Sequence, residues 1–182
     1  MSLFIDRDME LGGNICFPAN TPVTTDQGII RIDQLVRNIN TIRKQPIVAI
    51  TKTILNGDYL VCFEKDSIFK NVPNQKTTMS PQHKIFYNGN MIEAKDCMHI
   101  FNGVSQIPYT GEPLYNVLME DYNKMLVNNL IVETLDPENP IAELYRLYDN
   151  PTRVEQEEYI RHQNNSLITM MELKQRFACL SK

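Results

Sequence analysis

Short apolar and β-branched runs, broken every few residues by Asn, Gly, Asp and Pro, set the pattern from the N-terminus to Leu135. Such runs, bounded by turn residues, predict strands. Ile29-Ile30-Arg31-Ile32 follows the turn Asp26-Gln27-Gly28. Ile47 to Leu55 forms a second run, and Asn56-Gly57-Asp58 predicts a hairpin into Tyr59-Leu60-Val61-Cys62-Phe63. Lys84-Ile85-Phe86-Tyr87 and Met91-Ile92-Glu93-Ala94 flank Asn88-Gly89-Asn90, a second hairpin signal. Leu114 to Met119 and Lys124 to Val132 flank Glu120-Asp121-Tyr122-Asn123. Asp33 to Asn40 reads as one short helix inside an otherwise all-β domain.

The period changes after Leu135. Asp136-Pro137-Glu138-Asn139-Pro140 is a cluster of breakers. Ile141 to Tyr148 then carries apolar residues at helical spacing. Thr152 with Glu155 fits a capping box for a helix over Arg153 to His162. Ser166 to Leu180 places Ile168, Met171, Phe177 and Leu180 near one face. The chain thus divides into a flank (1–13, extein-like or cloning-derived), a β domain (14–135) and a helical appendage (136–182).

Composition narrows the function classes. The 182 residues are 42% hydrophobic and 22% charged, values of a soluble globular domain with a real core. A net charge of −4 argues against a nucleic-acid or anionic-membrane surface as the main partner. No apolar run reaches the roughly 18–20 residues of a membrane helix, and residues 1–8 lack the features of a signal peptide. Cytoplasmic placement is the expectation. The four cysteines, Cys16, Cys62, Cys97 and Cys179, show no CxxC spacing and are expected as free thiols. Cys97 and His99 are a close pair, but one pair is not a metal site, and no metal or organic cofactor is expected.

Three separated segments carry candidate chemistry. Cys16 stands in Gly12-Gly13-Asn14-Ile15-Cys16-Phe17-Pro18. Ser80 and His83 stand in Thr77-Thr78-Met79-Ser80-Pro81-Gln82-His83-Lys84-Ile85. The third segment runs from Leu114-Tyr115-Asn116 through Glu120-Asp121 to Val132-Glu133-Thr134. Each residue has an ordinary role as well. A cysteine is most often a small core hydrophobe. Ser80 before proline and Asp121 in a turn are locally favoured there in any protein, and His83 can cap a turn.

In order and spacing, these segments resemble the Hint domain, the hedgehog/intein autoprocessing module. Cys16-Phe17-Pro18 resembles the start of the hedgehog processing domain. Ser80-Pro81-Gln82-His83 is similar to that family's Thr-x-x-His motif, with serine for threonine. Asn90 to Asp96 looks like the strand into the later half, and Leu114 to Thr134 like the closing pair of strands. The ending Val132-Glu133-Thr134-Leu135 is similar to the branch associated with von Willebrand type A proteins. The resemblance covers residues 14–135 and implies a horseshoe-like, pseudo-symmetric all-β module. It also implies a reaction. The Cys16 thiol attacks the carbonyl of Ile15 and moves the acyl group from nitrogen to sulfur. His83 acts as acid at the nitrogen, Ser80 holds the scissile bond, and Asp121 matches an aspartate that assists the thiol. Water or a small nucleophile then resolves the thioester. The substrate is the chain's own N-terminal flank.

Departures limit that reaction. A splicing intein ends in His-Asn followed by Ser, Thr or Cys, where this chain has Glu133, Thr134 and Leu135. Threonine cannot cyclise to a succinimide, and leucine cannot accept an acyl group, so cleavage is expected without splicing. Ile15 is branched at Cβ and is expected to crowd the carbonyl and slow the attack. These departures leave a second reading, a degenerate Hint fold serving as an interaction or structural module. A third, a thiol hydrolase on outside substrates, needs an open cleft at Cys16. His99 and His162 carry no supporting context.

Overall fold

A computed structural model describes residues 15–148, 150–152, 154–159, 161–162 and 165. The flank 1–13 and the expected helix over Ser166 to Leu180 lie outside the described residues. The described fold is all-β. In chain order the strands are β1 (Phe17–Pro18), β2 (Pro22–Thr25), β3 (Gly28–Arg31), β4 (Thr41–Ile42), β5 (Gln45–Pro46), β6 (Ala49–Thr53) and β7 (Tyr59–Phe63). They continue as β8 (Thr77–Met79), β9 (Lys84–Tyr87), β10 (Asn90–Glu93), β11 (Val104–Pro108), β12 (Leu114–Leu118), β13 (Lys124–Val127) and β14 (Leu130–Glu133). A one-turn helix α1 (Ala94–Cys97) follows β10, and α2 (Pro140–Leu147) follows the last strand.

The largest sheet has six strands in the order β10-β9-β14-β13-β2-β3. Its strands alternate as a half-buried sheet must. Ile85, Met125, Val127 and Val132 are buried, while Phe86, Leu126 and Ile131 face outward. Two smaller sheets, β1-β12-β6 and β11-β7-β8, close the other side of the core, and β4-β5 is a separate hairpin. Phe17, Ile32, Phe63, Met79, Val117 and Met119 are among the fully buried members of one large cluster that ties all three sheets together.

Turn chemistry explains where the strands end. Asn88 and Gly89 both have positive φ and close the β9–β10 hairpin as expected. The expected strand from Lys124 to Val132 is instead a hairpin: Asn128 (φ 50°) and Asn129 (φ 68°) form the turn between β13 and β14. Asparagine tolerates left-handed backbone, so Asn-Asn turns the chain without glycine. Asn56-Gly57-Asp58 does not close a hairpin. β6 pairs with β12 while β7 pairs with β11 and β8, so the chain there crosses between sheets. The expected helix from Asp33 to Asn40 is reduced to a 3₁₀ turn at Ile32–Gln34. Asn40 Oδ1 takes the N–H of Val36 at 2.7 Å, which is the side-chain competition that stops helices.

The start of the appendage is docked on the β domain. Asn139 caps α2 by accepting from the Ile141 N–H at 2.9 Å. The capping box is present: Thr152 Oγ1 accepts from the Glu155 N–H at 3.3 Å, and Glu155 Oε2 accepts from the Thr152 N–H at 2.6 Å. Residues 154–159 are helical. The docking point is Tyr145, 2% exposed. Its hydroxyl accepts from the Lys52 N–H at 2.7 Å and donates to the Lys52 carbonyl at 2.8 Å. Gln156 Nε2 adds a third bond to that hydroxyl at 3.1 Å. Tyr145→Phe leaves both Lys52 groups without this partner, and the expected cost is about 1–3 kcal/mol. Urea unfolding of the full chain measures it.

Candidate active site

Cys16 sits one residue before β1, outside any strand ladder, and is 3% exposed. A buried peptide must still satisfy its N–H and carbonyl. For the Ile15–Cys16 peptide, both partners are side chains. The Cys16 N–H donates to Ser80 Oγ at 2.8 Å. Asn116 Nδ2 donates to the Ile15 carbonyl oxygen at 2.6 Å. The Ser80 N–H returns a bond to the Cys16 carbonyl at 2.9 Å, so residues 16 and 80 clasp each other.

Three strands position these groups. β8 ends at Met79, which delivers Ser80 against the entry to β1. A turn from Ser80 to His83, closed by the His83 N–H on the Ser80 carbonyl at 3.1 Å, leads into β9. β12 pairs with β1, with Phe17 opposite Tyr115. Alternate residues of a strand share a face. On one face of β12, Leu114 packs in the cluster of Cys16, Asn116 holds the Ile15 carbonyl, and Leu118 packs in the cluster of Ile15. The Asn116 amide has a fixed orientation, because its Oδ1 accepts from the Val117 N–H at 2.8 Å and leaves Nδ2 for Ile15.

His83 is fully buried with its ring 4.3 Å from that of Phe17. Its Nε2 lies 3.0 Å from the Glu133 carbonyl oxygen. A carbonyl only accepts, so Nε2 carries the proton and Nδ1 is the acceptor nitrogen. Nδ1 is buried with no hydrogen-bond partner among the described residues. Burial pulls the ring down to about 3, only partly offset by the Glu133 carbonyl, so His83 is neutral at neutral pH. Burial pushes the Cys16 thiol up to about 12, so it rests protonated. Glu133 ends β14 with its carboxylate held by the Lys84 N–H at 2.9 Å and the Tyr122 hydroxyl at 2.6 Å. Burial raises its pKa, and these two bonds oppose the shift.

The structure therefore brings Cys16 and Ser80 into direct contact, and places His83 at the end of the same turn with its ring against Phe17, the residue after Cys16. Asp121 is exposed in the turn after β12 and makes no hydrogen bond or ion pair with the described residues. Asn116 and the Glu133 carbonyl are the partners that sequence reasoning missed. The available signal for Asn116 was a polar side chain at a strand position between apolar neighbours. Cys97 is buried with its thiol on the Glu93 carbonyl at 3.4 Å, and His99 is exposed. No group of three or more His, Cys, Asp and Glu side chains suited to a metal occurs among the described residues. No helix among those residues is long and apolar enough to cross a membrane.

No protein-family model matches the chain, and no curated protein matches it. A separate cavity of about 470 Å³, lined by Asp26, Arg43, Phe86 and Lys124 among others, includes none of Cys16, Ser80, His83 or Asn116.

The neutral, buried ring makes an acid-stability prediction. Unfolded His83 protonates below about 6.5, whereas the folded ring resists protonation to about 3. The unfolded state then binds more protons, so this contribution is full above 6.5 and is lost as pH falls toward 3. The expected slope is about 1.4 kcal/mol per pH unit. Urea unfolding at a series of pH values between 7 and 4 should show this slope in the wild type and a shallower one in His83→Gln. Equal slopes would mean that another group is responsible.

Proposed function

We propose that residues 14–135 are a Hint-type autoprocessing module, with that family's horseshoe-like, pseudo-symmetric β architecture, that cleaves the Ile15–Cys16 peptide through an N-to-S acyl shift. One observation carries this reading. The carbonyl oxygen and the nitrogen of that single peptide are each held by a polar side chain, Asn116 and Ser80, inside the core.

The steps follow from the groups present. The Cys16 sulfur attacks the Ile15 carbonyl carbon, and charge develops on the carbonyl oxygen. Asn116 Nδ2 already points there, as an oxyanion donor must. In this proposal the thiol proton passes to His83 Nδ1, a buried acceptor with no hydrogen-bond partner among the described residues. The C–N bond breaks as that proton reaches the departing Cys16 nitrogen, which Ser80 Oγ holds in place. Proton count is conserved: the thiol gives up one and the amine gains one. His83 thus serves first as base and then as acid, which its neutral resting state requires. Water, or a small nucleophile, then attacks the thioester and frees Cys16. The high resting pKa of the thiol means that attack and proton transfer must occur together, so the expected cleavage is slow. Glu133, Thr134 and Leu135 supply no second cleavage, so the reaction stops short of splicing. The substrate is the flank that precedes Cys16, with no cofactor invoked.

The burial of Cys16 speaks against a hydrolase acting on outside substrates, since a residue 3% exposed offers an outside peptide almost no accessible surface. It also favours the second reading, a non-catalytic interaction or structural module, through the suppressed thiolate. Hydroxylamine separates the two. Incubation of the full chain, followed by intact mass, should give a break between Ile15 and Cys16 that is absent in Cys16→Ala. Identical behaviour of the two proteins refutes cleavage. Asn116→Ala should slow the break by roughly 10²–10³-fold, the usual loss for one oxyanion donor.

A further inference from the structure

Ile15 was expected to be an obstacle, because a branched side chain crowds the carbonyl beside it. The structure instead gives that side chain a site of its own. Ile15 is 8% exposed and shares one closed apolar cluster with Ala49, Leu118, Leu135, Ala142 and Tyr145. The cluster draws on β6, β12, the residue after Thr134, and α2. Each wall is fixed independently. Leu135 bridges to Leu118, and its N–H donates to the Val117 carbonyl at 2.9 Å. Tyr145 is anchored through its hydroxyl to both backbone groups of Lys52.

Two features make this cluster more than core filling. First, its small members, Ala49 and Ala142, come from opposite elements, a strand and the appendage helix. Alanine side chains occupy little of the cluster's volume, and Ile15 is the branched aliphatic residue that shares it with them. Second, Asn116 and Leu118 lie two residues apart on one face of β12. One grips the Ile15 carbonyl and the other packs in the cluster of its side chain. Seating the side chain therefore sets the orientation of the carbonyl under attack.

We infer that this cluster is a specificity pocket for a branched aliphatic residue ahead of the nucleophile, and that α2 of the appendage completes it. The inference rests on the cleavage reading above. It assigns a role to the beginning of the appendage: α2 shapes the acyl-donor side of the site. It also reverses the expected order of substrates, since isoleucine should outperform the less hindered glycine.

The test is a series in the full chain: Ile15, Ile15→Val, Ile15→Leu, Ile15→Ala and Ile15→Gly, each scored for the Cys16-dependent break with hydroxylamine. Leucine, which keeps every carbon, should cleave within about threefold of isoleucine, valine roughly tenfold more slowly, and alanine and glycine roughly a hundredfold or more slowly, the scale set by lost methylenes in an apolar pocket. Ala142→Met then fills the pocket. In that background the order should invert, with Ile15→Ala faster than Ile15. A purely structural role lowers stability without inverting an order of rates. Ala49→Val is the second filling variant, used if Ala142→Met fails to fold by urea unfolding. Glycine as fast as isoleucine, or no inversion in a folded filled variant, overturns the pocket and leaves cleavage standing. No Cys16-dependent break anywhere in the series, wild type included, overturns the cleavage reading and the pocket with it.

Discussion

A peptide group taken out of water must have both its ends bonded, and the Ile15–Cys16 peptide meets that demand through side chains and not through a strand ladder. Its nitrogen goes to Ser80 and its oxygen to Asn116, one from each side of the buried bond. The surrounding architecture follows from this. β8 must end at the residue before Ser80, β12 must run beside β1, and the face of β12 must carry one asparagine among leucines. Removing either side chain leaves a buried polar group unpaired at a cost of about 1–3 kcal/mol. The bond that carries the proposed chemistry is also a bond on which local packing depends.

The electrostatics of the site describe a molecule at rest. Cys16 holds its proton and His83 declines one, both because burial penalises charge. The proposed reaction draws on a thiolate and a protonated imidazole, and the core disfavours both ions. The burial that holds the Ile15–Cys16 peptide therefore also works against the proposed cleavage. Alignment lowers the entropic cost of attack, while desolvation raises the cost of forming the ions. The Glu133 carbonyl mediates between these effects by fixing which ring nitrogen is free.

Much of this was legible in the sequence, for reasons that differ by residue. Local turn chemistry marked the β9–β10 hairpin, because Asn88 and Gly89 adopt positive φ with little strain. The same logic misread Asn56-Gly57-Asp58, since a turn signal says that the chain bends and not which strand receives it. Asn128-Asn129 was overlooked for lack of a glycine. The Cys16–Ser80 pair, 64 residues apart, came from motif order and not from local pattern. Asn116 escaped because its partner is 101 residues away, and nothing in Leu114-Tyr115-Asn116-Val117-Leu118 says what the amide holds. Asp121 drew attention through its place in a turn, which is reason enough for an aspartate to be there.

The long separations have a consequence during synthesis. Ile15 and Cys16 leave the ribosome before their partners, which follow in the order Ser80, His83, Asn116, Glu133 and Tyr145. Until β14 is complete, no carbonyl orients the imidazole, and until α2 docks, the pocket around Ile15 lacks a wall. The Ile15–Cys16 peptide is thus translated before the residues that hold it. On the proposed cleavage reading, a nascent or truncated chain carries the nucleophile without the groups that direct it, so completion of the domain is what permits the reaction.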